Sequence, residues 1–275
     1  MTNELKGEEE KEKNNITRWN YGINAGVYFA NKYPASFYNG SENNDNSLKY
    51  IWDNPYWYQE IKQKMGATDT IVITGYPGNM HYNVVMSGGV FIRYNLNKNY
   101  GFCLDVNYTK LKAEDAITVQ VDPMSYLTFP DIRAIPVQGI EQRVHMDLLL
   151  QRNFWLKTKI YFFLQGGMNF NFTRVMKSAV FFNGQEYNMV NIYGSNNYVP
   201  NTSLQENPVT QGGVGYGFAL GGGAGFPLVT QLGIEPGGFI NYNKVALPGY
   251  PDFKLSYGFY VRFLFGNILP KPEPE

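Results

Sequence analysis

The sequence predicts an all-β fold: an eight-stranded antiparallel up-and-down transmembrane β-barrel with long structured extracellular loops. Three observations predict it. Hydrophobicity alternates with a period of two, one face of that alternation carries no charge, and short connections alternate with long ones.

Composition frames the reading. The chain has 275 residues, 17 % charged and 16 % aromatic, with 29 glycines. Aromatics at that level exclude a disordered chain, and so much glycine with β-branched and aromatic residues argues against helix. The net charge is +0, so no bulk field draws in nucleic acid. Mean hydropathy is −0.33, and no apolar run approaches the ~18 residues of a spanning helix. Barrel strands escape that test because their alternation averages out. Cys103 is the only cysteine, which excludes an internal disulfide and a multi-cysteine metal site. Met1 to Lys13 has no apolar core. A secretory signal is therefore expected to have been removed, with Met1 added for expression.

The first strand, Trp19 to Ala30, sets Trp19, Tyr21, Ile23, Ala25, Val27 and Phe29 against Asn20, Gly22, Asn24 and Gly26. The second, Val84 to Leu96, sets Met86, Val90, Ile92 and Tyr94 against Ser87, Gly89, Arg93 and Asn95. The third, Tyr100 to Thr109, sets Phe102, Leu104, Val106 and Tyr108 against Gly101, Cys103, Asp105 and Asn107. The fourth, Ile140 to Gln151, sets Val144, Met146, Leu148 and Leu150 against Glu141, Arg143, His145 and Asp147. The fifth, Thr158 to Phe172, places Phe162, Leu164, Met168 and Phe170 opposite Lys159, Tyr161, Gln165 and Asn169. The sixth, Gly213 to Phe226, alternates Val214, Tyr216, Phe218 and Leu220 with a ladder of glycines. The seventh, Gln231 to Tyr242, opposes Leu232, Ile234 and Ile240 to Gly233, Glu235 and Asn241. The eighth, Lys254 to Phe265, opposes Leu255, Tyr257, Phe259, Val261 and Phe263 to Ser256, Tyr260 and Arg262.

The apolar face holds no charged residue. An Arg or Lys at the bilayer midplane costs roughly 2–4 kcal/mol, so that face suits lipid. The connections at 97–99, 152–157 and 227–230 are short, while 31–83, 110–139, 173–212 and 243–253 are mostly long. Short periplasmic turns and long outer loops are the habit of such barrels. Trp19, Tyr21, Tyr94, Tyr100, Trp155 and Phe265 gather at the short-turn ends as an interfacial girdle. A soluble lipocalin-type barrel needs the reverse arrangement, apolar inside, and lacks four long loops. Three segments follow: a flexible periplasmic leader over 1–18, the barrel over 19–265, and a flexible Pro-rich tail over 266–275.

On these features the chain resembles the outer-membrane β-barrel superfamily (OmpA- and OmpX-like) and, more loosely, the PorT-like barrels. The resemblance covers residues 19–265 and rests on strand count, alternation and loop asymmetry. It implies the bacterial outer membrane, with lipid and lipopolysaccharide around the barrel. The PorT-like likeness implies a role in a secretion assembly.

Inside the barrel the sequence places Arg93, Asp105, Glu141, Arg143, His145, Asp147, Lys159, Glu235 and Arg262. Such side chains must pair or be solvated, and an eight-stranded barrel is filled by its side chains, so they are read as a salt-bridged plug over a proton path. The ladder Gly213 to Gly225 leaves one wall bare, either to be filled by Tyr161, Phe163, Phe239 and Tyr260 or to leave a cavity. His81, with Asp69, Ser87 and Ser256 as possible partners, is weighed as an enzyme centre and set below a loop histidine; no cofactor or metal site stands out.

The long loops look folded. Asn54 caps, Pro55 opens and Gly66 stops a helix over 55–65. Ile71 to Thr74 reads as an added strand, and Asn183-Gly184 as a hairpin turn. Trp52, Tyr56, Trp57, Tyr58, Phe182 and Tyr187 are the candidate binding residues, since exposed aromatics favour recognition. The alternative is that they form the loops' own cores. The expected function is a non-enzymatic barrel whose loops bind a protein or glycan partner, as a subunit of an envelope or secretion assembly. A narrow channel or a lipid-modifying enzyme is the alternative.

Overall fold

The computed structural model describes residues 18–124, 129–156, 160–193, 209–229 and 231–266. The leader to residue 17, the tail from residue 267 and Lys159 lie outside them.

The alternating segments form strands β1 (Trp19–Phe29), β2 (Ile71–Gly75), β3 (Val85–Asn95), β4 (Tyr100–Val121), β5 (Asp131–Trp155), β6 (Tyr161–Phe182), β7 (Gln185–Asn188), β8 (Gly212–Val229), β9 (Leu232–Asn243) and β10 (Lys254–Phe265). Antiparallel ladders run β1–β3–β4–β5–β6–β8–β9–β10 and return to β1. That closes an eight-stranded ring, which removes the free edges an open sheet would carry. Two α-helices, α1 (Lys49–Trp52) and α2 (Pro55–Met65), and one 3₁₀ turn (Tyr33–Tyr38) lie in the first long connection.

The ring is apolar outside. Leu220 is 67 % exposed and Leu164 62 %, and Phe102, Phe162, Phe218 and Phe259 are each more than half exposed. The band has edges. Lys110 pairs with Gln142, and Gln142 with Arg174, so three polar outward residues stand side by side at one level. At the other end the Arg152 guanidinium lies over the rings of Tyr100 and Phe154, and Trp19 packs on Tyr94 with centroids 4.8 Å apart. From Gln142 to Arg152 the strand advances about 33 Å at ~3.3 Å per residue, or about 25 Å along the axis at a tilt of roughly 40°. That matches the apolar height of an outer-membrane barrel. The barrel is therefore a membrane-spanning one.

Four strands are clearly longer than a bilayer needs, among them β8 with 18 residues. β4 and β6 have 22 residues and β5 has 25, against ~9–11 for a crossing. The sequence reading ended the third strand at Thr109 and began the fourth at Ile140; in fact the ladder continues to Val121↔Asp131. Above the band β2 takes the place of β3 on the edge of β4, and β7 takes the place of β8 on the edge of β6. The expected helix, added strand and hairpin all form. Asn54 Oδ1 accepts from the backbone N–H of Tyr56 and Trp57, Gly66 closes α2 at φ 68°, and Asn183 and Gly184 turn at φ 48° and 83°.

Candidate functional site

The lumen holds two groups of charge. In the lower one Arg262 donates to Asp105 at 2.6 Å, to Glu235 at 3.0 Å and to Asn24 at 3.2 Å. Arg93 donates to the other oxygen of Glu235 at 2.8 Å, and the Tyr161 hydroxyl donates there too. The Arg262 guanidinium sits 4.4 Å from the Phe91 ring centroid and 4.9 Å from that of Tyr260. These residues come from β1, β3, β4, β6, β9 and β10, so the ion pairs tie opposite walls together. All the charged members are buried, which is tolerable only because each has a charged partner.

The upper group closes the lumen. Arg143 pairs with Glu141 at 2.5 Å. Glu141 also accepts from the hydroxyls of Tyr38, at 2.6 Å, and Tyr82, at 3.1 Å. Both tyrosines belong to the first long connection. Between the groups lie Asp147, bonded to Asn169, and His145, whose ring packs 5.0 Å from that of Tyr28. Of the nine charges expected inside, the structure thus joins Arg93, Asp105, Glu235 and Arg262, joins Glu141 and Arg143 separately, and leaves His145 and Asp147 outside any ion pair among the described residues. Lys159 lies outside those residues.

Aromatic rings fill the bare glycine wall. A Cβ on Gly225 would meet Tyr161 Cζ at 2.1 Å, one on Gly223 would meet Phe163 at 2.8 Å, and one on Gly258 would meet Phe239 at 2.6 Å. The Tyr161 ring occupies the side-chain space of Gly225, while at Gly223 and at Gly258 of β10 a backbone carbonyl, of Pro236 and of Val27, stands closer still, at 2.2 and 2.5 Å. The cavity beside Asn24, Asp105 and Asp147 measures ≈ 20 Å³, far below the several hundred Å³ of a ligand pocket.

Above Glu141 the inward face of the same strands changes from polar to apolar. Leu111, Ala113, Ile117, Val119 and Val121 of β4, Ile135 and Val137 of β5, and Val180 and Phe182 of β6 face inward. Phe37, Tyr38, Leu48, Ile51, Trp57, Ile61 and Met65 from the first long connection pack on them, with Val245 and Leu247 from the last. The result is an extracellular head with its own hydrophobic core. Asp122, at the top of β4, ties it further: its carboxylate accepts from the backbone N–H of Thr68, Asp69 and Thr70 and from the Thr68 hydroxyl. Those backbone donors hold its pKa down to about 2.

This placement corrects the reading of the candidate binding aromatics as an exposed set. Trp57, Phe182 and Tyr187 are buried in the head core, because Trp57, Ile61 and Met65 share one face of α2 and Phe182 lies on an inward strand face. Trp52 and Tyr58 are half-buried, with Trp52 packed on Tyr58 and Phe182. Tyr56 stays 47 % exposed. The exposed apolar residues of the head are others that sequence reasoning missed: Met124 and Phe129, 82 % and 81 % exposed at the β4–β5 tip, with Ile132 and Val72 on the adjoining sheet face. The signal was present as Met124 and Phe129 between Pro123 and Pro130, in a stretch with no polar alternation. His81 bonds to the Asn79 carbonyl, and the structure gives no bond from it to Asp69, Ser87 or Ser256.

No protein-family profile matches the chain, and no curated protein does. Among solved structures it is similar to the Neisserial surface protein A (NspA), at 9 % identity and a TM-score of 0.43, covering 90 % of this chain and 95 % of that one. It is similar to the outer membrane protein OprG from Pseudomonas aeruginosa, at 11 % identity and 0.42, covering 90 % and 95 %. It is similar to Ail, the attachment invasion locus protein of Yersinia pestis, solved with the heparin analogue sucrose octasulfate, at 9 % identity and 0.34, covering 90 % and 98 %. The barrel assignment rests on the closed ring of hydrogen bonds and the apolar band, not on these likenesses.

Proposed function

We propose that this outer-membrane β-barrel is a closed, non-enzymatic barrel that holds a folded extracellular head out to a protein partner, as a subunit of a surface or envelope assembly. The observation that carries this is the β4–β5 tip. Met124 and Phe129 are more than four-fifths exposed at the end of strands that run eleven residues past the band edge at Lys110. At ~3.3 Å per residue and a tilt of roughly 40°, that lifts them about 28 Å above the band, out of reach of the hydrocarbon. Exposed apolar groups so placed mark an interaction site. The head is rigid before it binds, because its strands are paired and its core is packed, so little ordering entropy opposes docking. The filled lumen argues against a channel.

The test is site-specific photocrosslinking in living cells. A photoreactive amino acid at position 129 is expected to give a discrete protein adduct, and Met124→Ser with Phe129→Ser is expected to lose the partner while the barrel still shifts mobility on heating. Adducts confined to lipopolysaccharide, or ion conductance of the purified barrel in planar bilayers, would overturn the reading.

A further inference from the structure

Among the described residues the ion pairs balance the lumen except at one residue. Arg93 and Arg262 face Glu235 and Asp105, and Arg143 faces Glu141. Among the described residues Asp147 has no cation paired with it; its carboxylate accepts from Asn169 Nδ2 at 2.5 Å. Asp105 is its direct cross-strand partner. Directly opposed residues stand about 5 Å apart at Cβ, where like charges repel. Both carboxylates line the ≈ 20 Å³ cavity, together with Ser87 and Gln165. Asp105 Oδ1 and Gln165 Oε1 are buried without a hydrogen-bond donor, on residues 4 % and 6 % exposed. The oxygens of the other two cavity amides are engaged, since Asn107 accepts from Asn24 and Asn24 accepts from Arg262. Two acids and one amide therefore line one small space, and Asp105 and Gln165 each bring to it a side chain with an unsatisfied oxygen.

We propose that this cavity binds one monovalent cation of sodium size, held by oxygens of Asp105, Asp147 and Gln165. The charge fits, because among the described residues of this network acids exceed bases by one. The size fits, because the space matches about one water. The donor set fits, because oxygen ligands suit hard cations and not soft metals. Among the described residues no group of three His, Cys, Asp or Glu side chains is placed to hold a metal ion. The rival occupant is a proton on Asp147.

The experiment is urea unfolding of the full chain, folded in detergent near pH 8, in sodium chloride or in N-methylglucamine chloride at equal ionic strength. A bound ion lowers the unfolding constant about tenfold for each tenfold rise in sodium above its dissociation constant. Wild-type protein is expected to show that dependence for sodium and not for N-methylglucamine. Asp147→Asn is expected to abolish it, and Gln165→Leu to weaken it. Equal wild-type midpoints in the two salts, whether or not the variants fold, would show that Asp147 carries a proton instead. A sodium effect as large in Asp147→Asn as in wild type would place the ion elsewhere and equally overturn the proposal.

Discussion

Replacing Arg262 by alanine removes the side chain on which the lower lumen network converges. Its guanidinium contacts Asp105 and Glu235 at 2.6 and 3.0 Å and lies between Phe91 and Tyr260. The loss falls unequally. Glu235 keeps Arg93 at 2.8 Å and the Tyr161 hydroxyl, whereas Asp105 keeps no paired Arg or Lys among the described residues. Removing one partner of a buried ion pair costs about 3–5 kcal/mol. At a urea dependence near 3 kcal/mol per molar, the midpoint should fall by about 1–1.7 M. The measurement is equilibrium urea unfolding in lipid bilayers, read by tryptophan fluorescence and by the heat-shifted band. The double change Arg262→Met with Asp105→Asn keeps volume and removes both charges, so it should recover more than half of the loss. An alanine variant within about 1 kcal/mol of wild type, or a double variant worse than the single one, would refute the reasoning. Either result would mean that water rather than charge pairing satisfies these groups.

Two further outcomes follow from the head. Asp122 has its pKa depressed to about 2 by the backbone N–H groups of Thr68 and Asp69, against ~3.9 in an unfolded chain. Its contribution is therefore complete above about pH 4 and is lost as pH falls toward 2. Protease cleavage around residues 62–70 of the intact barrel should rise over that window, and Asp122→Ala should show the raised cleavage already at pH 7; equal cleavage in the two proteins at pH 7 would remove the clamp. Gly139→Ala places a Cβ 2.1 Å from Tyr38 Cγ in a packed core, where overpacking costs about 1–3 kcal/mol. It should expose residues 31–83 to protease on whole cells while the heat-shifted band persists, and unchanged cleavage would mean that Tyr38 does not seat the head.

The barrel was legible because lipid forces one face of every crossing strand to be apolar. Phe102, Leu104, Val106 and Tyr108 announce β4 without help from tertiary structure. What followed was not legible on the same rule, because the phase of the alternation flips. Beyond Lys110 the outside of β4 is water, so Lys112 and Glu114 turn outward, while Leu111, Ala113, Ile117 and Val119 turn in. A search for outward apolar residues reads that flip as a strand end, although the period of two continues through it. The aromatic loops misled for a related reason. Trp57, Ile61 and Met65 recur every four residues on α2, which marks a buried helix face, and that spacing outweighs the preference of tryptophan for interfaces. The lumen charges were found by type, but which of them pair depends on opposite walls such as β3 and β9, whose contact no local pattern reveals.

The phase flip also explains why the barrel is closed. The inward face of β4 and β5 is polar up to Thr109 and Glu141 and apolar beyond them. Tyr38 and Tyr82 span that change, with rings in the head core and hydroxyls on Glu141. Each tyrosine satisfies both environments at once and so joins lumen to head. Swinging one loop aside would leave Glu141 and Arg143 short of two hydroxyl partners and expose the apolar faces of β4, β5 and β6 together. A path for solutes would therefore require dismantling a hydrophobic core rather than moving a lid. That cost supports the proposed reading of display over passage, in which the exposed β4–β5 tip is the docking surface.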